Sequence, residues 1–255
     1  MFPIFSIPAF DDNYIWALVD DVRRQAIIVD PGDATPVLTF LHQKQLTLIA
    51  ILITHKHHDH TGGIPALLSA FPDISVFSNL IEKVAQTTQF VSDNGVININ
   101  EHQFKVIAIP GHTLGHVAYY CKPFLFCGDT LFTNGCGRIF EGTAEQMLQS
   151  LKKLMALPDD TQIYCGHEYT LSNIKFALQI EPANVELQKR LKNTEKLRLE
   201  NKPTVPSTLK LEKDTNPFLR CQYQSVIDSV SRQSGKLCKT EVDVFYELRE
   251  WKNRF

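Results

Sequence analysis

Four histidines and an aspartate fall within the six residues that follow Thr54 in Thr54-His55-Lys56-His57-His58-Asp59-His60. Imidazole nitrogen and carboxylate oxygen are donors for zinc, iron or manganese, and a set without sulfur favours an open catalytic site over a closed thiolate cage. Along an extended chain, positions two apart face the same way, so His55 and His57 can address one point. Asp59 and His60 sit where the chain turns and can address a second point nearby. Three more candidates recur in one local pattern: Gly111-His112, Gly128-Asp129 and Gly166-His167. Each follows a hydrophobic run (104–109, 124–127 and 162–165), and glycine lets the backbone turn sharply just past a strand. Singly, such pairs are ordinary turn chemistry. Together, four strand ends deliver His55, His57, Asp59, His60, His112, Asp129 and His167 to one edge of a sheet, where layered α/β proteins tend to hold their ligands.

The elements that must position these residues are legible in outline. Residues 4–8, 14–19 and 25–29 read as strands, and 35–43 as a helix. The apolar run 48–53 is a buried strand leading into the histidine cluster, and a helix with Pro65 in its first turn follows. Strands are expected at 74–77, 97–100 and 104–109. Beyond His167 the texture turns helical, at 168–179 and 184–200, again from Asn216 and finally at 241–251. The charged run Glu186, Lys189, Arg190, Lys192, Glu195, Lys196, Arg198, Glu200 reads as a solvated face with i,i+4 pairs. Residues 202–207, with two prolines, read as an exposed connector. Of the remaining histidines, His58 is out of phase with His55 and His57. His116 could orient a ligand, and Asp30 at another strand end could accept from a ligand imidazole.

A length of 255 residues allows one large domain, or a main domain with a smaller companion. Hydrophobic content of 44% with 21% charged residues is ordinary for a globular protein with a real core. A formal charge of −2 gives no broad basic surface for nucleic acid. No apolar run reaches the ~18 residues of a membrane span, and the amino end lacks the basic start of a secretory signal. The six cysteines form no C-x-x-C pair and read as free thiols in a reducing compartment. A cytoplasmic enzyme, monomeric and binding neither nucleic acid nor membrane, is the expectation.

The His-x-His-x-Asp-His run after a strand resembles the metallo-β-lactamase superfamily. Pro110-Gly111-His112-Thr113, Gly128-Asp129-Thr130, Gly135-Cys136-Gly137-Arg138, Gly166-His167-Glu168-Tyr169-Thr170, Thr204-Val205-Pro206-Ser207-Thr208 and Asn216-Pro217-Phe218 narrow the resemblance, nearly end to end, to the glyoxalase II (hydroxyacylglutathione hydrolase) family. It implies an α/β fold, a four-layer αββα sandwich with a small C-terminal helical domain. The division is a metal-binding catalytic part at 1–168 and a mainly helical glutathione-binding part at 169–255. It implies two divalent ions, zinc first with iron or manganese as alternatives. One would sit on His55, His57 and His112, the other on Asp59, His60 and His167, with Asp129 bridging. The glutathione portion would be held by Arg138, Tyr169, Arg249 and Lys252, although Phe140 lacks a hydroxyl that many relatives carry at that position.

The chemistry so implied is hydrolysis of an S-(2-hydroxyacyl)glutathione, chiefly S-D-lactoylglutathione, to glutathione and D-lactate, a step of methylglyoxal detoxification. Two ions sharing Asp129 would lower the pKa of a water between them to about 7 or below, and the resulting hydroxide would attack the thioester, with Asp59 holding the nucleophile's proton. The leading alternative is a mononuclear iron persulfide dioxygenase acting on glutathione persulfide, which would need one ion rather than two.

Overall fold

The computed structural model describes residues 3–255; Met1 and Phe2, the start of the amino-terminal segment read above, lie outside the described residues. Strand β2 (Asn13–Asp20) shows how the layers arise. Its Ile15, Ala17 and Val19 enter one apolar cluster, while Tyr14, Trp16 and Leu18 enter another, and all six are buried. A strand covered on both faces belongs to an inner layer and carries a near-continuous apolar sequence.

The first sheet runs in chain order: β1 (Ile4–Ala9), β2, β3 (Gln25–Val29), β4 (Thr47–Leu52), β5 (Ser75–Asn79), β6 (Gln89–Val91). It is antiparallel through β3 and parallel from β3 onward. Helices α1 (Ala34–Lys44) and α3 (Ile64–Ala70) cover its outer face with Val37, Leu41, Ile64 and Leu67. Between β4 and α3 lies the single turn α2 (His58–Thr61).

The second sheet comprises β7 (Val96–Ile99), β8 (His102–Ala108), β9 (Val117–Cys121), β10 (Phe124–Gly128), β13 (Gln162–Cys165) and β14 (Ser207–Thr208). A small hairpin, β11 (Leu131–Phe132) with β12 (Gly135–Cys136), precedes helix α4 (Ala144–Met155). Trp16, Leu18 and Leu52 of the first sheet share a core with Phe104, Val106 and Phe126 of the second. That core continues into α4, α5 (Thr170–Ile180), α8 (Gln224–Ser234) and α9 (Glu241–Arg254), which completes the αββα order. Helices α6 (Val185–Leu199) and α7 (Leu209–Thr215) finish the helical tail. The sheets are tied together at their ligand-bearing ends: Val117 N–H donates to Thr54 O, Tyr119 Oη to Ile53 O and Trp16 Nε1 to Cys165 O.

Three readings of the sequence are corrected. Residues 202–207 are not simply an exposed connector: Val205 and Ser207 are buried, and β14 pairs antiparallel with β13, so this segment supplies an edge strand of the second sheet. Arg190 does not belong to a solvated face. It is buried and its guanidinium reaches Asn134, Thr215, Ser207 and Glu212, because the hairpin and α7 close over that side of α6. Finally, β9 and α4 were unassigned from sequence. The start of α4 is fixed by a capping box of Thr143 and Gln146, and its Met147, Leu148, Leu151 and Leu154 form the buried stripe.

Candidate metal centre and its cleft

All seven ligand candidates converge at one end of the sandwich. His55 leaves β4, His57 precedes α2, and α2 carries Asp59 and His60. His112 follows β8, Asp129 follows β10 and His167 follows β13. His55, His57 and His112 form one trio; Asp59, His60 and His167 form another. In the first, His57 Nδ1 lies 3.0 Å from both His55 Nε2 and His112 Nε2. In the second, Asp59 Oδ2 is 3.5 Å from His60 Nε2 and 3.4 Å from His167 Nε2. Asp129 stands between them, with Oδ2 3.2 Å from His167 Nε2 and 3.7 Å from His112 Nε2, and Oδ1 3.4 Å from His60 Nε2. Donors arranged tetrahedrally at zinc-ligand distances lie about 3.4 Å apart.

Outer contacts fix which ring nitrogen faces inward. His112 Nδ1 donates to Arg138 O at 2.8 Å, which leaves a lone pair on Nε2 in the neutral ring. Asp30 meets His60 Nδ1 at 3.1 Å, as expected, and also accepts from Thr54 N–H and Oγ1. Asp12 meets His167 Nδ1 at 2.7 Å, and Asn13 Nδ2 donates to Asp59 Oδ2 at 3.0 Å. His116 stacks on His55 at 4.6 Å, and its Nε2 accepts from Asp129 N–H, so it orients two members of the set. His58 is exposed, in keeping with its phase.

The residues fit a cation. His60 Nε2 and Asp129 Oδ1 are buried with no hydrogen-bond partner. Burial by itself would raise the Asp129 carboxyl, yet His60 and His167 hold it well below the usual range. Burial likewise opposes a charge on His167, but Asp129 and Asp59 pull it up to about 10. Positive charge is required between these side chains, as ring protons or as metal. Gly166 keeps the space open: a Cβ there would lie 2.4 Å from Asp129 Oδ1 and 2.7 Å from the His60 ring.

Above this floor opens a cleft of about 660 Å³ whose wall includes Arg138, Tyr169, Arg249 and Lys252. The structure therefore brings together every residue singled out from sequence, but not as equals. Arg138 is exposed, and its guanidinium has no hydrogen bond or ion pair among the described residues. Tyr169 lies parallel to the His167 ring at 4.8 Å, and burial pushes its phenol up. Arg249 is buried and already donates to Cys136 O at 2.8 Å, with its guanidinium 5.1 Å above Phe218. Lys252 Nζ sits over the rings of Phe176 and Phe255; burial, reinforced by Arg249, brings its ammonium down to about 8. Phe140 leans on His57 and His112 at the mouth. Sequence reasoning missed Asp12 and Asn13, which lie where the chain turns from β1 into β2, and Glu82, which carried no signal.

A family model described as metallo-beta-lactamase superfamily matches residues 12–167, and one described as hydroxyacylglutathione hydrolase C-terminus matches residues 168–255. Curated hydroxyacylglutathione hydrolases from Nitrosomonas eutropha and Vibrio cholerae are 49% and 50% identical to the chain, each aligned over the whole of both sequences. The chain belongs to the hydroxyacylglutathione hydrolases of the metallo-β-lactamase superfamily. Among solved structures, the BLEG-1 B3 metallo-beta-lactamase is 26% identical with a TM-score of 0.65, covering 85% of this chain and 99% of that one. ETHE1 from Myxococcus xanthus superposes with a TM-score of 0.69 at 23% identity, covering 98% of this chain and 91% of that one, a likeness of fold alone. Membership of this superfamily implies divalent-metal binding, which the His/Asp clusters fit. Among the described residues, no helix is long and apolar enough to cross a membrane.

Proposed function

We propose that the protein hydrolyses the thioester of S-(2-hydroxyacyl)glutathione, S-D-lactoylglutathione foremost, to glutathione and the hydroxy acid. The observation that carries this reading is a pair of ligand trios sharing Asp129 beneath a cleft with a cationic, aromatic wall. The full-length relatives that bear the hydroxyacylglutathione hydrolase name support it. His55, His57 and His112 would hold one divalent ion and Asp59, His60 and His167 a second, with Asp129 common to both; zinc is the first choice, iron or manganese the alternatives. Such ions, when bound, supply an activated water and an electrophile for the carbonyl oxygen.

The chain's own residues do the rest. Asp59 holds the proton of the attacking water, and the outer contacts from Asp12, Asn13 and Asp30 keep the trio around it in register. As the carbon–sulfur bond breaks, the thiolate departs with a pKa of about 8.5 and needs no dedicated acid. Lys252, Arg138 and Tyr169 hold the anionic glutathione portion, while Arg249 mainly anchors the β12 turn behind it. The chain divides near residue 168 into a metal-binding catalytic part and a mainly helical glutathione-binding part. Six free cysteines suit a reducing cytoplasm.

The test offers metal-loaded protein S-lactoylglutathione, a simple thioester lacking glutathione, and a β-lactam, with metal counted in the same sample. Two ions per chain and turnover of the glutathione thioester alone is the expected result. An intact glutathione thioester with both ions present overturns it. One ion per chain, with oxygen consumed on glutathione persulfide, would favour the dioxygenase instead.

A further inference from the structure

Glu82 is a buried carboxylate that the chemistry above does not use. It ends the one-turn helix Leu80–Glu82, only 2% exposed. No cation lies within ion-pair distance among the described residues. Its oxygens are instead satisfied by two separate ligand loops. Oε2 accepts from the backbone N–H of Lys56, the residue between His55 and His57, at 2.6 Å. Oε1 accepts from Thr113 Oγ1 at 2.9 Å and Gly115 N–H at 2.8 Å, just past His112. One side chain thus bridges the loop that carries two ligands to the loop that carries the third.

A second carboxylate repeats the bridge nearer the surface. Glu141 pairs with Lys56 Nζ at 2.5 Å and accepts from Leu114 N–H at 3.0 Å. That pair is partly exposed and screened by water, so the buried bridge is the stronger of the two. Among the described residues, no hydrogen bond or ion pair joins Asp59, His60 or His167 to Glu82. Asp59, His60 and His167 take their outer contacts from Asn13, Asp30 and Asp12.

We propose that Glu82 is a positioning residue that locks the His55–His57 loop against the His112 loop, so that the three-histidine trio is already assembled before an ion arrives. The inference rests on the two-ion reading given above. Without the bridge, each loop keeps its ligands but the trio must be ordered at the moment of binding, which weakens one ion and spares the other. Glu82→Ala removes all three contacts. Glu82→Gln keeps an acceptor for one loop and turns an amide N–H toward donors of the other, so its effect is intermediate.

The experiment measures zinc affinities of wild type, E82A and E82Q by chelator competition, with ¹⁵N-histidine NMR reporting which rings each ion engages. The expected result for E82A is about 10–100-fold weaker binding of the ion that shifts His55, His57 and His112. The ion that shifts His60 and His167 keeps its affinity. Glu181→Ala serves as a stability control, since Glu181 is buried against Arg220 and Ser225 and, among the described residues, bonds to no member of either trio. E82A that binds both ions as wild type does, or that weakens both equally as a general loss of stability would, overturns the role of Glu82. Wild type that takes up no ion overturns the metal reading itself, a separate outcome.

Discussion

On the floor of the cleft, the outward nitrogens of His60, His112 and His167 each meet an acceptor, and the rings they belong to are buried. On the wall, Arg138 extends toward solvent with no hydrogen bond or ion pair among the described residues, and Lys252 carries its charge over two aromatic rings. The floor has its ordering done when the chain folds. The wall leaves part of that ordering to the arriving ligand, at a cost in affinity per contact. Such a division suits a hydrolase: the reacting atoms need fixed geometry, whereas a flexible peptide needs charge and surface.

The largest effect is expected at Asp129, which stands between the two trios. Asp129→Ala is expected to lose metal, counted by elemental analysis, and to lower turnover by more than the about 10–100-fold typical of outer contacts. Asp12→Ala tests whether the outer contacts matter: it removes the acceptor behind His167 and should cost metal affinity or kcat within that range. Unchanged metal retention after dialysis would show the floor to be less dependent on such contacts than its geometry implies.

On the wall, the two cations should separate. Arg249→Ala strands the buried Cys136 carbonyl, so it should raise KM and also lower stability by about 1–3 kcal/mol, read from denaturant melts. Lys252→Ala should raise KM about tenfold, in line with a charge-assisted bond of ~1.5 kcal/mol, and leave kcat alone. A kcat loss without a KM change at Lys252 would place it in the chemistry instead.

The smallest effect is one of pH. Burial first, then the Arg249 charge on the same helix, depress Lys252 to about 8, while Cys136 on the facing hairpin works the other way. Its positive charge is present below that pH and lost above it, so KM should climb as pH passes 8, with kcat flat and the climb absent in K252A. The linked effect on folding has the opposite sense. Between about 8 and the ordinary 10.5, the unfolded chain holds the extra proton, so stability gains with rising pH across that window.

Legibility in the sequence follows the same line. The ligands could be read because His112, Asp129 and His167 each follow a glycine at a strand end and the other four crowd into residues 55–60 just past β4, both local patterns. Asp30 could be anticipated for the same reason. Asp12 could not: it faces His167 across 155 positions, and its neighbours look like any solvent turn. Glu82 reaches residues 26 to 33 positions away from inside a one-turn helix that has no periodicity to read. Arg190 was hidden in a run of charges, and it takes Glu212 on the next helix, with Asn134, Ser207 and Thr215, to show why that member is dry. The apolar strands were legible one by one and the αββα layering followed from the family resemblance, yet β14 was not legible, since two residues after a proline, the second of them the cap of α7, carry no strand signature.

That short strand has a mechanical consequence. Because Ser207 and Thr208 pair with Ile163 and Gln162 and Leu209 N–H donates to Thr161 O, the tail is stitched into the sandwich and does not hang from it. Cutting the chain after His167 would bare the flank of β13, leaving unmet backbone donors and acceptors beside the reaction centre. Such an open flank recruits strands from other molecules, so the shortened protein is expected to clump before it merely loses its grip on glutathione.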